Sequence, residues 1–197
     1  MADFMRFYEV LVGHEGGYVF DPEDPGGETY HGVARGFHPN WPGWALVDEY
    51  KTKPGFPSSL NKDKRLQKMV QDFFKEEFWD PFGLDRAPDE LAWEMFDIGV
   101  NMGKGRLVEF MQEIFNTMNN RGTRWPDVKV DRVLGGNTNK AWKSFNNECE
   151  KREYDPQIVL ARMLNLKQGQ QYFENIELEE YKEKYAWGWF GRVISYT

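Results

Sequence analysis

The chain has little cysteine, and it has fewer basic than acidic residues. Cys149 is its single cysteine among 197 residues, so no internal disulfide can form and synthesis in a reducing compartment is expected. Lys and Arg number 25 against 32 Asp and Glu, which leaves a formal net charge of −7. A nucleic-acid-binding protein needs a basic face, so this charge balance argues against that class of function.

Long apolar runs are also missing. No segment has the roughly 20 consecutive apolar residues that a membrane-spanning helix needs, so stable membrane insertion is not expected. Residues 1–6 show no basic region followed by an apolar core. The sequence therefore predicts cytoplasmic synthesis without a signal peptide.

Histidine is scarce, and its spacing is wrong for a metal site. His14, His31 and His38 are the three histidines, and none has a second ligand at a spacing typical of zinc. The acidic residues 21–24 resemble part of a calcium loop, but Pro22 and Pro25 interrupt the ligand pattern. No metal and no cofactor are expected.

The N-terminal segment has the apolar spacing of an amphipathic helix. Glu15 lies four residues beyond the last residue of the apolar face and extends it, and Gly16 and Gly17 then end the helix. That face occupies positions i, i+3, i+4 and i+7: Phe4, Phe7, Tyr8 and Leu11.

Glu15 therefore has the environment of a carboxyl group that holds its proton. Burial disfavours the carboxylate, and so does the negative end of the helix dipole, so both should raise the pKa of Glu15. A raised pKa suits a general acid that cleaves a glycosidic bond. The alternative is a structural Glu that accepts hydrogen bonds from backbone donors.

The rest of the chain indicates a mainly α fold. Apolar spacing predicts helices over residues 66–78, 88–102, 107–118, 156–164 and 181–193. Residues 35–57 are rich in proline and predict a long irregular loop beside the N-terminal helix, and residues 127–133 predict a short strand. Trp41 and Trp44 in the loop are either sugar platforms or a local core.

Asp97 and Asn101 lie one turn apart on an otherwise apolar helix, with Trp93 one turn earlier. They therefore share a helix face. This face is either a cleft wall that binds sugar hydroxyls or a buried hydrogen-bond network that joins two helices.

Six segments carry a resemblance to a known family. The chain resembles glycoside hydrolase family 108, which comprises lysozyme-like N-acetylmuramidases of phage endolysins and bacterial genomes, some labelled secretion activator proteins. The segments occur in family order: His-Glu-Gly-Gly-Tyr at 14–18, Asp-Pro-Glu-Asp-Pro-Gly-Gly-Glu-Thr at 21–29, Gly-Val at 32–33, Phe-Asp-Ile-Gly-Val-Asn-Met-Gly at 96–103, Asp-Arg-Val-Leu-Gly-Gly-Asn-Thr at 131–138, and Gly-Trp-Phe-Gly-Arg-Val at 188–193.

The resemblance implies a lysozyme-like helical fold that cleaves the β-1,4 bond between N-acetylmuramic acid and N-acetylglucosamine in peptidoglycan glycan strands. It places the catalytic acid on Glu15. It also implies a catalytic part over residues 1–90 and a helical, peptidoglycan-binding-like part over residues 91–197, packed into one core. The chain departs from the family's usual residues at three sites: Tyr30-His31 replaces Asn-Lys or Asn-Tyr, Ala34 replaces Thr, and Arg132 replaces Gly.

The sequence does not decide which group acts as the second catalytic group beside Glu15. Asp24, nine residues on, is the candidate second carboxylate, in competition with Asp21 and Glu28. Asp24 also lies in a turn sequence, where its carboxylate could bond its own backbone. Thr29 or Tyr30 could instead hold the attacking water. The expected substrate contacts are Tyr18, Asp21, Tyr30, His31, Asp97 and Asn101.

Two other functions are consistent with the same residues. One is a lytic transglycosylase on the same bond, and the other is a non-catalytic cell-wall-binding or secretion-associated protein. We expect the protein to be a monomer and to act as an endolysin of prophage type. It would then reach the cell wall through a holin-type pore or after lysis.

Overall fold

The computed structural model describes residues 1–11, 17–22 and 24–194. These residues form a mainly α structure with one small sheet, which confirms the predicted class and agrees with a lysozyme-like helical fold. The α-helices are α1 (Phe4–Leu11), α2 (Gly43–Lys51), α3 (Lys64–Phe74), α4 (Asp89–Met102), α5 (Lys104–Met118), α6 (Gly136–Lys151), α7 (Pro156–Leu178) and α8 (Ala186–Ile194). The strands are β1 (Tyr18–Phe20), β2 (Glu28–Tyr30) and β3 (Val33–Ala34).

The chain divides into two compact units. One comprises Asp3–Phe82, and the other comprises Met1–Ala2 together with Gly83–Thr197. We call them the first and the second unit. The division predicted near residue 90, and the single core predicted for both parts, stay predictions.

Helix α1 carries the apolar face that the spacing predicts. Phe4, Phe7, Tyr8 and Leu11 are all buried. The fully buried ring of Trp79 lies against this face, with its centroid 5.5 Å from that of Phe4 and 5.8 Å from that of Phe7. The predicted helix end at Gly16 lies outside the described residues, as does Glu15 itself.

The segment predicted as a long irregular loop contains a helix. Helix α2 begins directly after Pro42 and buries Trp44 and Val47, so the prediction of irregular structure was wrong there. The helix presents a short apolar face, and the flanking prolines mask it in the sequence. Trp41 and Trp44 are buried with ring centroids 5.2 Å apart, edge to face, so they form a local core.

The strands lie elsewhere than predicted. They form one antiparallel sheet in the order β1-β2-β3, with strands of two or three residues that are too short to show an alternating pattern. No strand is described at 127–133, where the prediction was wrong. There the Asn116 amide pairs with Val128, donating to its carbonyl at 2.8 Å and accepting from its N–H at 2.8 Å. A side chain thus takes the place of a neighbouring strand.

The second unit is built on α4, α5 and α7, which bury one apolar core. Asp155 caps α7, because its carboxylate accepts from the N–H groups of Gln157 at 2.8 Å and Ile158 at 3.3 Å. Helix α7 runs to Leu178, well beyond the predicted residue 164. The core includes Met95, Phe96, Leu107, Met111, Leu160 and Leu164.

The turn at 131–135 forms around one buried glutamine. The Gln112 carboxamide accepts from the N–H groups of Asp131 and Arg132 at 3.0 and 3.1 Å, and donates to the Asp131 carboxylate at 2.9 Å. It also donates to the Thr138 hydroxyl at 3.0 Å. Arg132 has φ +65°, so the turn that the family usually makes with glycine is made here by an arginine.

Within the described ranges, none of the helices has the length and apolar content needed to span a membrane. The same residues contain no group of three or more His, Cys, Asp or Glu side chains placed to hold a metal ion.

Candidate active site

The candidate site lies in the first unit, where the chain following Glu15 enters the sheet. Glu15 and His14 lie outside the described residues, so the site is defined by its neighbours. Gly17, two residues after Glu15, accepts a hydrogen bond on its carbonyl from the His31 N–H at 3.3 Å. This bond joins the segment after Glu15 to the turn between β2 and β3.

Asn61 packs on Gly17. A Cβ atom at position 17 would lie 3.1 Å from Asn61 Nδ2 and 3.3 Å from Asn61 Oδ1, which is tight van der Waals contact. Glycine therefore allows the carboxamide to approach the backbone within two residues of Glu15. Asn61 lies in a 3-10 turn, Leu60–Lys62, and is solvent-exposed.

Tyr30 holds Asn61 from the core. Its side chain is 0% exposed. The hydroxyl accepts from Gln67 Nε2 at 2.5 Å and donates to Asn61 Oδ1 at 3.4 Å. Burial raises the pKa of Tyr30 to about 12, so the phenol stays protonated and can act as a donor. The structure gives Tyr30 a supporting role, and substrate contact by Tyr30 stays a prediction.

His31 completes this cluster. Its Nε2 lies 3.3 Å from Asn61 Oδ1, and its ring lies edge to face on Tyr30 with centroids 4.7 Å apart. The backbone of His31 has φ +44°, a conformation that L-residues rarely adopt. We call Gly17, Tyr30, His31 and Asn61 the Asn61 cluster.

Asn61 and Gln67 are functional candidates that the sequence interpretation missed. Neither belongs to a segment that carries the family resemblance, and both lie more than 30 residues from Tyr30. The one local signal is Asp63, whose carboxylate accepts from the N–H groups of Arg65 and Leu66 and so begins α3. That cap predicts where the helix starts, but not what its first turns contact.

Tyr18 and Glu28 lie on the same face of the sheet as Tyr30. Burial, followed by a hydrogen bond to Glu28, raises the pKa of Tyr18. The Glu28 carboxylate is buried and lies 2.6 Å from Lys51 Nζ and 3.1 Å from Arg35 Nη1. Two cations therefore balance the charge of Glu28, which favours a structural role over that of a second catalytic carboxylate.

Thr29 lies between these residues in sequence but on the opposite face of β2. Its strand neighbours are Val19 and Ala34, and it is half-buried. Successive side chains of a strand alternate between faces, so Thr29 and Tyr30 point to opposite sides of the sheet. A role of Thr29 in holding water stays a prediction.

Asp24 and Asp21 shape the turn between β1 and β2. Asp24 Oδ1 accepts from the Gly26 N–H at 2.7 Å, which is the turn bond expected for Asp at this position. The Asp24 carbonyl accepts from the Gly27 N–H at 2.8 Å, and the Asp24 N–H donates to the Asp21 carbonyl at 3.3 Å. Asp24 is exposed, and its role as the second carboxylate stays a prediction.

Asp97 and Asn101 belong to the second unit, where they form a buried network. Asp97 is 2% exposed and accepts from Arg192 Nη1 at 2.7 Å, Gln168 Nε2 at 2.6 Å and Asn101 Nδ2 at 2.9 Å. This network joins α4, α7 and α8, as one of the two interpretations of this face predicts. Substrate contact by Asp97 or Asn101 stays a prediction.

Glu94 lies one turn before Asp97 and is also buried, at 2% exposure. Among the described residues its Oε1 has no hydrogen-bond partner. Burial, together with the nearby negative charge of Asp97, raises the pKa of Glu94 to about 8.

Comparison with known families accounts for nearly the whole chain. Residues 8–103 match the family model described as Glycosyl hydrolase 108. This part of the chain is therefore similar to the glycosyl hydrolase 108 family. Residues 106–194 match a second model, described as Predicted Peptidoglycan domain. Together the matches support a peptidoglycan hydrolase or a peptidoglycan-binding protein. No curated protein matches the chain.

The fold of the chain is similar to the solved structure of SagA from Brucella abortus. The TM-score is 0.52 at 18% sequence identity, over 98% of this chain and 90% of the other. At this identity the likeness shows a shared fold.

Proposed function

We propose that the protein hydrolyses the β-1,4 bond between N-acetylmuramic acid and N-acetylglucosamine, with Glu15 as the general acid. The observation that carries the proposal is the glycosyl hydrolase 108 match over residues 8–103, which contains Glu15, followed by the peptidoglycan domain match. Protonation of the glycosidic oxygen by Glu15 would let the leaving sugar depart as the oxocarbenium-like transition state forms.

The Asn61 cluster supports this proposal, because it places polar groups beside Gly17, which follows Glu15 by two residues in the sequence. Tyr30 and His31 both lie against the carboxamide oxygen of Asn61. The amide N–H groups of Asn61 are therefore the donors that could meet a sugar hydroxyl or acetamido oxygen. We assign Asn61 the role of positioning the substrate, with Tyr30 and His31 fixing its orientation.

The second catalytic group is proposed to be Asp24 or a water. The bond from Gly26 uses Oδ1 of Asp24, and the exposed turn leaves this carboxylate on the surface of the first unit. The anomeric form of the first product distinguishes two mechanisms. Inversion requires water to attack the anomeric carbon directly, whereas retention requires a nucleophile other than water to attack first and form a covalent intermediate. Proton NMR of the fresh product would identify the anomer.

Glu15→Gln is the decisive variant, since glutamine has nearly the same shape and cannot donate the proton. We expect it to clear a turbid suspension of sacculi at least about 100-fold more slowly than the parent, the scale of a general acid. Glu9→Gln, an exposed position on α1, is the matched control and should retain full activity. Equal clearance by Glu15→Gln and the parent would refute the assignment of Glu15 as the general acid.

Mass spectrometry of the same digests tests the alternative functions. Reducing N-acetylmuramic acid ends are expected from hydrolysis, whereas anhydromuramic ends would identify a lytic transglycosylase. Binding of sacculi without release of any fragment would identify a non-catalytic wall-binding protein. We further propose that the protein works as a monomer and reaches the wall through a holin-type pore or after lysis.

A further inference from the structure

The first unit contains a cavity of about 530 Å³ that the proposed reaction does not use. It lies between the loop before α2 and the outer side of α3. Gln67, which bonds Tyr30, and Asp72, which lines the cavity, are roughly 140° apart around α3. The cavity therefore opens on a different side of α3 from the Asn61 cluster. Its walls include three aromatic and three acidic side chains: Phe37, Trp41, Phe73, Asp72, Glu76 and Glu77.

A π-helical turn brings two of the acids to the cavity. After α3 the backbone widens into a π segment, Lys75–Trp79. Glu76 follows Asp72 by four residues and stays on its side of the helix. The wider turn also carries Glu77 to this side, so both adjacent glutamates line the same cavity. Single π turns of this kind are frequent at functional sites.

The charge of the cavity wall is negative. Among the described residues that line it there are three carboxylates, and no Lys or Arg. Asp72 also pairs with the ammonium group of Lys68, a neighbouring surface residue. That pair offsets part of the charge of Asp72, and Glu76 and Glu77 add two further carboxylates to the wall.

The aromatic walls indicate what kind of cation fits. Aromatic ring faces attract ammonium groups, and the attraction strengthens as water is removed. Phe37 is 66% exposed at the mouth of the cavity, while Trp41 and Phe73 are nearly buried. The described residues contain no group of three or more His, Cys, Asp or Glu side chains that could hold a metal ion, so the three carboxylates of the cavity do not form a metal site. An organic ammonium with an apolar stem matches both features.

We propose that this cavity binds a primary ammonium group presented by peptidoglycan, on a diamino acid of the stem peptide or on a de-N-acetylated sugar. The identity of the polymer rests on the proposed function. The cavity would then select wall material with free amines and hold it beside the strand that is cut. The carboxylates of peptidoglycan would be repelled from the same surface, so binding depends on the amine.

Direct binding of small probes to the intact protein tests the cavity without any cleavage. The stem probe is an N-terminally acetylated Ala-isoGln-Lys tripeptide amide, compared by calorimetry with the same peptide acetylated on its side-chain amine. The sugar probe is the glucosamine disaccharide, compared with diacetylchitobiose. We expect at least one amine-bearing probe to bind about tenfold more tightly than its acetylated form. The pair that shows this difference identifies the source of the ammonium.

The double variant Glu76→Gln/Glu77→Gln should weaken binding of the same amine probe about tenfold. The double variant Glu9→Gln/Glu49→Gln removes two exposed carboxylates elsewhere in the first unit and should leave binding unchanged. Equal binding of the free and acetylated forms of both probes would overturn the proposal, and so would parent-like binding by the cavity variant.

The two proposals fail separately. The tripeptide probe has no glycosidic bond, so its binding does not depend on Glu15 or on the nature of the reaction. If muramidase activity is absent but the amine dependence holds, the cavity remains an ammonium site. If Glu15→Gln abolishes clearance but acetylation of both probes changes nothing, the enzyme assignment stands and the cavity assignment falls.

Discussion

Asn61 lies so close to Gly17 that a Cβ atom added there would be 3.1 Å from its amide nitrogen. Such contact is tighter than side chains normally make, so an alanine at position 17 must push the carboxamide aside. Asn61 is exposed and can give way at little cost in folding free energy. The closeness of these two residues links the segment after Glu15 to the start of α3.

Gly17→Ala should therefore reduce activity more than stability. We expect clearance of sacculi to fall about tenfold, since displacement of a positioning group misaligns the substrate. The urea midpoint of unfolding should change little. Gly188→Ala serves as the control, because a Cβ at Gly188 meets nothing within 4 Å. Parent-like activity of Gly17→Ala would show that the orientation of Asn61 does not matter for the reaction.

Tyr30→Phe should destabilise the protein by about 1–2 kcal/mol, because loss of the hydroxyl leaves Gln67 and Asn61 without their shared partner. Urea unfolding followed by tryptophan fluorescence measures the change. Tyr154→Phe removes a hydroxyl at an exposed position and should be neutral. If both variants unfold at the parent's midpoint, the Tyr30 hydroxyl does not hold the Asn61 cluster.

Glu94 should make the protein less stable as the pH rises. Its pKa in the folded state, about 8, lies above its ordinary value of 4.5, so the folded chain binds a proton that the unfolded chain releases in this range. The stabilising contribution is complete below pH 4.5 and is lost as the pH rises through 8. The slope approaches about 1.4 kcal/mol per pH unit for one group.

Glu94→Gln, which stays neutral at every pH, should flatten this slope between pH 5 and 8.5. Thermal unfolding midpoints across that range provide the measurement. Glu90→Gln, exposed on the same helix, should keep the parent's slope. A parent and a Glu94→Gln variant with identical pH profiles would contradict the buried, protonated state of Glu94.

Arg132→Gly should stabilise the protein by about 1 kcal/mol, because φ +65° strains an L-residue but not glycine. The Arg132 side chain is 55% exposed in its ion pair with Glu109, and Glu109 also pairs with Arg106, so loss of the Arg132 partner should cost little. Arg132→Ala loses the same pair while keeping the strained backbone, so it should bring no gain. Equal urea midpoints for the two variants would show that backbone strain at position 132 is negligible.

Helices with a strong apolar period were predictable from local sequence. The spacing in residues 4–11 defines the buried face of α1, and Pro88 with Asp89 predicts the start of α4. Helix α2 and the three short strands were not predictable in this way. Elements this short bury only a few side chains, so their existence depends on what the rest of the unit packs against them.

The residues of the candidate site also differ in whether the local sequence indicates them. The resemblance around residues 14–33 directs attention to Glu15, Tyr30 and His31, because these residues are close together in the chain. Asn61 reaches Tyr30 and His31 across about 30 residues of sequence, and no local pattern encodes that contact.

The sequence by itself determined the helical class, and its resemblance to glycoside hydrolase family 108 directed attention to Glu15, since both depend on the order of nearby residues. The tertiary structure alone decided that Asp97 pairs with Arg192, 95 residues away, and that Asn61 packs on Gly17. The physical reason is that hydrogen bonds and ion pairs act over a few ångströms in space, whatever the separation along the chain.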